Sequence, residues 1–297
     1  MSSSDGIRSR SKPASGWQRP SLFLLAGAGL LLLGMLTGFY LFFPADALKQ
    51  RITQELNIRT GTDVQIEQVA LYPFLSLSAN QVNITSAALP RPLEIEELRV
   101  APQWLTLLSN DPGVTLQARL MSGNVSGKLQ KSGLISAIAT GLRFVLPLQK
   151  PMPLNITGTL KQATLNGATR LDTETQTNFS LRLNEVLVKG LDILKADSPG
   201  LDLGEIILEV DGQGRAMKIM TLSATGGDLD INGGGTLLIG QTSAVSRIKL
   251  ELQIRPGSTA DPSIASLLEL AGKQGPNGFY SLEVSGTLAK PVLKAGG

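Results

Sequence analysis

Beyond residue 60 the chain alternates apolar and polar side chains at every second position, the period of a strand with one wet face. Val64 and Ile66 alternate with Asp63 and Gln65. Leu75, Leu77 and Ala79 alternate with Ser76 and Ser78, Val82 and Ile84 with Asn83 and Thr85, and Leu93 and Ile95 with Glu94 and Glu96. Leu116, Ala118 and Leu120 open another strand, and Phe179, Leu181 and Leu183 alternate with Arg182 and Asn184. Ile248, Leu250, Leu252 and Ile254 alternate without error against Lys249, Glu251, Gln253 and Arg255, the clearest strand in the chain. The pattern predicts a mainly β protein built on a curled, largely antiparallel sheet with a few short helices.

Helical spacing is rarer. Leu48, Ile52 and Leu56 recur every four residues in 44–57, which predicts a short amphipathic helix ended near Gly61. Residues 102–109 predict another, with Trp104, Leu105, Leu107 and Leu108 as its apolar part. Asp261-Pro262 opens a third over 261–272. Asp is its N-cap, Pro its first residue, Ile264, Leu267, Leu268 and Ala271 its stripe, and Gly272 its C-cap. Residues 134–148 are mostly apolar without a clear period and admit a helix stopped near Pro147.

One phrase recurs. It is Asn124-Val125-Ser126-Gly127-Lys128-Leu129, then Asn155-Ile156-Thr157-Gly158-Thr159-Leu160, and Glu283-Val284-Ser285-Gly286-Thr287-Leu288. Asp230 through Leu237 is a looser copy with two extra glycines. Val125, Gly127, Leu129, Ile156, Gly158, Leu160, Val284, Gly286 and Leu288 share the apolar side of their phrases, so they are the candidate lining of a groove. Glycine on that side either bends the sheet or clears room for a ligand chain; bending is the preferred reading.

Residues 21–43 contain no charge and make a helix of roughly 34 Å, enough to cross a bilayer. Arg8, Arg10, Lys12 and Arg19 precede this span against one acid, Asp5. That bias places the N-terminus in the cytoplasm and the rest of the chain beyond the membrane. The expected organisation is a tail over 1–20, a transmembrane helix over 21–43 and a β domain over 44–297, with a possible subdivision near 189–204. Gly34 and Gly38 form a Gly-x-x-x-Gly pair, a candidate site of helix packing.

Composition narrows the chemistry. There is no Cys and no His, so disulfides, thiolate and imidazole metal sites and most catalytic triads are excluded. The tail carries four basic residues and one acid of the 27 Lys+Arg and 24 Asp+Glu; the remainder balances, with no basic field for nucleic acid. Asp228-x-Asp230-x-Asn232-Gly233 has the opening of a calcium loop, but Ile239 stands in the twelfth position and the acids alternate as in a strand. Gly233-Gly234-Gly235 lacks a following Lys-Ser/Thr and reads as a turn. Glu94, Glu96 and Glu97 read as a solvated strand face. Asn83, Asn124, Asn155 and Asn178 each begin Asn-x-Ser/Thr, which suits a wet strand face equally well. No nucleophile stands beside a recognisable base, so a catalytic site, a cofactor and a bound metal are not expected.

A membrane helix is followed by a short helix, then Thr60-Gly61-Thr62-Asp63-Val64-Gln65-Ile66, Leu75-Ser76-Leu77, Val82-Asn83-Ile84 and Pro102-Gln103-Trp104-Leu105. This order resembles the opening of AsmA-like proteins. Within that group the length, the single span and the closing Val284-Ser285-Gly286-Thr287-Leu288-Ala289-Lys290-Pro291 are similar to the long form of type II secretion system protein N. The resemblance implies a bacterial inner-membrane protein with a periplasmic β domain shaped as an open groove or half-barrel. It implies a non-enzymatic accessory or scaffold component of the type II secretion system, with other secretion components as partners. The alternative it implies is an AsmA-like protein that handles lipid, or supports outer-membrane biogenesis, through the apolar groove.

Overall fold

The computed structural model describes residues 30–31, 34–35, 38, 44–60, 62–72, 75–86, 91–148, 154–170, 175–190, 200–258, 260–271, 274–275 and 277–295. Of the expected span only Leu30, Leu31, Gly34, Met35 and Gly38 are among them, all helical; the rest of 21–43 lies outside the described residues. Among the described residues no helix is long and apolar enough to cross a membrane.

Residues 45–297 form a single compact unit. Its strands are β1 (Asp63–Tyr72), β2 (Ser76–Thr85), β3 (Leu93–Pro102), β4 (Gly113–Leu120), β5 (Gly123–Gln130), β6 (Leu134–Leu148) and β7 (Leu154–Ala168). They continue as β8 (Gln176–Lys189), β9 (Leu201–Gln213), β10 (Ala216–Thr225), β11 (Leu229–Leu238), β12 (Arg247–Pro256), β13 (Tyr280–Thr287) and β14 (Lys290–Ala295). All fourteen form one sheet in chain order, and β1 and β14 do not pair with each other, so the sheet is open. Every pairing is antiparallel, as short connections between consecutive strands require. Among the described residues of this unit the helices are α1 (Ala45–Thr60), α2 (Trp104–Leu107) and α3 (Pro262–Ala271).

The register places one apolar residue from each strand in a single row. It runs Leu71, Leu77, Val100, Leu116, Gly127, Ala137, Leu165, Phe179, Val210, Ile219, Gly235, Leu250, Val284, Leu293. No polar side chain interrupts it. At 4.7–4.9 Å per strand the row is about 60 Å long. A one-residue slip at any strand would turn that strand's whole apolar set to water, which is why the alternation holds the register.

Among the described residues no second sheet covers this face. Yet Leu160 is 8% exposed, Val186 2%, Met217 5% and Ile219 7%. A flat single layer would leave such side chains in water; burial of this depth requires the sheet to bend over its own apolar face. The bends are visible as register shifts within β10, β7 and β8, and between Ile95 and Glu97 of β3. Gln81 (φ 53°) and Glu185 (φ 56°) are left-handed within their strands. At Gln81 the apolar parity switches from Ala79 to Val82, matching the switch from Ile66 to Val69 across the β1–β2 pairing.

Several expectations are corrected. Residues 134–148 are not a helix but β6, paired along its whole length with β7, and Leu142, Phe144 and Leu146 share one side of it opposite Leu160, Gly158 and Ile156. Gly233-Gly234-Gly235 is not a turn but the middle of β11. In α1, Ile52 packs on the cluster of Val64, Ile66, Val82 and Ile95, whereas Leu56 is 38% exposed, because Asn57 takes the place beside β1. In 102–109 the helix is a single turn, α2, and its apolar side faces out: Leu105 is 91% and Leu108 95% exposed. The third helix starts at Pro262 as expected, with the Ile264 N–H donating to the Asp261 carbonyl at 2.9 Å; Gly272 lies outside the described residues. On either side of the 189–204 stretch, β8 and β9 pair with each other.

Candidate functional site

The apolar face of the sheet is filled differently along its length. At β1–β3 it carries the cluster of Val64, Ile66, Val82 and Ile95, onto which Ile52 of α1 leans. At β11–β13 it carries a second cluster, Leu229, Ile254, Tyr280 and Leu282, and Ile264 and Leu268 of α3 sit on it. Leu201 and Leu203 of β9 reach the same cluster. The amphipathic pattern of α3 explains the arrangement: its two inward residues, one turn apart, are each only 8% exposed.

α3 occupies one end of the face formed by β10–β13. The other end stays open as a cleft of about 730 Å³. Its floor is one cross-strand row, Gly212, Met217, Leu237, Ile248 and Gly286. Asp211, Lys218, Arg247 and Lys249 stand around it. The floor row is apolar and offers no hydrogen-bonding side chain.

The register places the candidate groove residues of the repeated phrase as follows. Val125, Gly127, Leu129, Ile156, Gly158, Leu160, Val284 and Gly286 all lie on the apolar face. Their polar partners Asn124, Ser126 and Lys128 are exposed. Leu288 lies past the end of β13 in the turn to β14, where its N–H donates to the Ser246 carbonyl at 3.0 Å; it is 44% exposed.

The three glycines of the phrase have different causes. A Cβ on Gly158 would stand 3.0 Å from Phe144 Cζ and 3.3 Å from Val186 Cγ2, so the space is taken by neighbouring side chains. On Gly127 it would meet the Ser136 carbonyl at 3.2 Å, a close backbone approach. Gly286 has φ +111°, a conformation that side chains other than glycine's rarely adopt. In the looser copy, Leu252 and Leu250 of β12 lean over Gly233 and Gly235, 2.6 Å and 3.0 Å from where their Cβ atoms would be. At Gly158 the missing side chain is thus replaced by a neighbour's, whereas at Gly233 and Gly235 the backbone carbonyls of Glu251 and Lys249 also stand in the way.

The acidic candidates are engaged locally. Asp230 Oδ2 accepts from Arg255 Nη2 at 2.8 Å and Nε at 3.0 Å, and Asp228 Oδ2 accepts from the Asp202 N–H at 2.8 Å. Glu97 pairs with Arg99, and Glu94 and Glu96 are exposed. Among the described residues no group of three or more His, Cys, Asp or Glu side chains is placed to hold a metal ion. Gly34 and Gly38 are helical, with nothing within 4 Å of their Cβ positions.

Two features escaped the sequence reading. The cleft row through Met217 was one; the alternation of Met217 and Ile219 around Lys218 was the signal for it. The other is the exposed apolar turn at Leu105 and Leu108, which in sequence looks like any buried helix.

The sequence profile of a family described as type II secretion system (T2SS), protein N matches residues 78–283, from β2 into β13. The chain belongs to the type II secretion system protein N family. The match covers more than half of the chain and takes in the phrases at 124–129 and 155–160, α3 and the cleft row as far as Ile248. The family is a secretion accessory family, which ties the chain to the type II secretion system and to its other components. No curated protein and no solved structure matches the chain.

Proposed function

We propose that the chain is a non-enzymatic scaffold component of the type II secretion machine. In this reading residues 21–43 anchor it in the inner membrane, 1–20 remain in the cytoplasm, and the sheet stands in the periplasm against other components. The observation that carries the reading is the family match across the sheet. The uncharged span and the basic residues before it support the anchoring and its direction. The side chains of the sheet support a non-catalytic role: the buried clusters of the apolar face are mostly aliphatic, and Glu97 and Asp230 are ion-paired. Deleting the gene is the test of the role: exoproteins should accumulate inside the cell envelope, and normal secretion would remove the reading. Reporter fusions after residues 20 and 60 test the topology, with a periplasm-active reporter expected to work only at the second.

A second reading has its own observation. The open cleft of about 730 Å³ over Met217, Leu237 and Ile248 fits a lipid acyl segment. Native mass spectrometry of the full chain, after exchange from one detergent into another, should then show retained phospholipid. A protein mass without lipid in both detergents would set this reading aside and leave the scaffold role standing.

A further inference from the structure

The two edges of the sheet are finished differently. On β1 the outer edge is closed by α1: Asn57 Oδ1 accepts from the Val64 N–H at 2.8 Å, and Lys49 Nζ donates to the Glu67 carbonyl at 2.8 Å. On β14 all six residues are exposed, and among the described residues no element pairs with its outer side. Val292 is 49% and Leu293 60% exposed.

The hairpin geometry says which backbone groups β14 offers. β13 and β14 are joined by the two-residue turn Leu288-Ala289, so Thr287 and Lys290 are the first pair. In such a hairpin the first pair is hydrogen-bonded and the pairs then alternate. Val292 and Lys294 therefore bond inward to β13, and Pro291, Leu293 and Ala295 turn their backbone groups outward. Pro291 agrees with this, since proline has no N–H to give an inner partner. The outward edge thus presents the Leu293 and Ala295 N–H groups and the carbonyls of all three residues. Their side chains continue the apolar face, while Lys290, Val292 and Lys294 continue the polar face.

We propose that β14 is the docking edge for an extended strand of a protein partner, one that alternates apolar residues with acids. The strand would add a fifteenth member to the sheet, its apolar side chains extending the row that ends at Leu293, its carboxylates beside Lys290 and Lys294. Those two lysines make no ion pair among the described residues. They also decide against a second copy of this chain. A two-fold pairing of β14 with itself that keeps the apolar faces continuous sets Lys290 against Lys294, or two Lys294 residues on a diagonal, and like charges so placed repel. The basic segment around Arg8, Arg10 and Lys12 is a poor match for the same reason.

The experiment uses the full chain in mild detergent and two capped, fluorescent heptapeptides, Leu-Glu-Val-Glu-Val-Glu-Leu and its lysine counterpart, with binding read by anisotropy. The acidic peptide should bind at least tenfold tighter. The double variant Lys290→Glu, Lys294→Glu should reverse the preference. Leu293→Pro removes an outward N–H that the fold does not use; it should leave the melting temperature in place and abolish peptide binding, whereas Val292→Pro should lower the melting temperature. The proposal is overturned by equal binding of the two peptides, by binding that survives Leu293→Pro, by a Leu293→Pro chain as destabilised as Val292→Pro, or by sedimentation showing a wild-type dimer that Leu293→Pro dissociates.

Discussion

Gly158 stands opposite Phe144 in the β6–β7 register, and the Phe144 ring, with Val186 behind it, occupies the volume that a side chain at 158 would need. The glycine belongs to packing: it lets an aromatic ring from the neighbouring strand come close to the backbone. A ligand-clearing glycine would have open space above it instead.

Gly158→Ala should therefore destabilise the sheet by about 1–3 kcal/mol, the usual cost of overpacking. Phe144→Leu in the same chain should recover part of that loss by making room. Urea denaturation of the two single variants and the double variant measures it. A Gly158→Ala chain as stable as wild type would mean the Phe144 ring moves freely and the packing argument fails.

Val82 is 2% exposed within the cluster of Val64, Ile66 and Ile95, while Leu105 on α2 and Leu108 at its C-cap are almost fully exposed. Truncating Val82 to Ala should cost about 2 kcal/mol, because the cavity cannot be filled from a single-layer sheet. Leu105→Ala and Leu108→Ala should each stay within about 0.5 kcal/mol. Comparable losses at all three positions would show that α2 is buried in the folded chain.

Asn57 seals the β1 edge through its bond to the Val64 N–H. Asn57→Ala should cost about 1 kcal/mol and speed hydrogen exchange at the Val64 amide, leaving amides of β10–β12 unchanged. Unaltered exchange at Val64 would mean that α1 covers the edge without this bond.

Arg255 joins Asp230 across β11 and β12 and also lies over the Phe279 ring, 5.0 Å from its centroid. Both charged groups are partly exposed, so a double-mutant cycle should give a coupling below about 1 kcal/mol that shrinks in high salt. Arg255→Ala should cost more than Asp230→Ala, since it also removes the cation from the aromatic face. Equal losses would leave the Phe279 contact without energetic weight.

The fold class was legible because alternation is a local property: two-residue periodicity at Ile248–Ile254 or Val125–Leu129 fixes which side chains face inward, whatever the neighbours are. The same reading located α1 and α3, whose four-residue spacing and Asp261-Pro262 start are equally local. It misplaced 134–148 because a strand flanked by long partners needs little polar contrast, and such a run has no period to separate it from a helix. It took Gly233-Gly234-Gly235 for a turn because glycine carries no sign of which neighbour will fill its space.

By itself, then, the sequence determined the inward and outward sides of the strands, the absence of thiol and imidazole chemistry, and the uncharged stretch before the sheet. The tertiary structure decided what each inward position meets. Only register sets Phe144 over Gly158 and the Lys249 carbonyl against Gly235, and, among the described residues, only the placing of α3 leaves the Met217–Ile248 end uncovered and only the strand order leaves the outer side of β14 unpaired while α1 closes β1. Those are relations between residues far apart in the chain, fixed by hydrogen-bond pairing and packing that no short window of sequence contains.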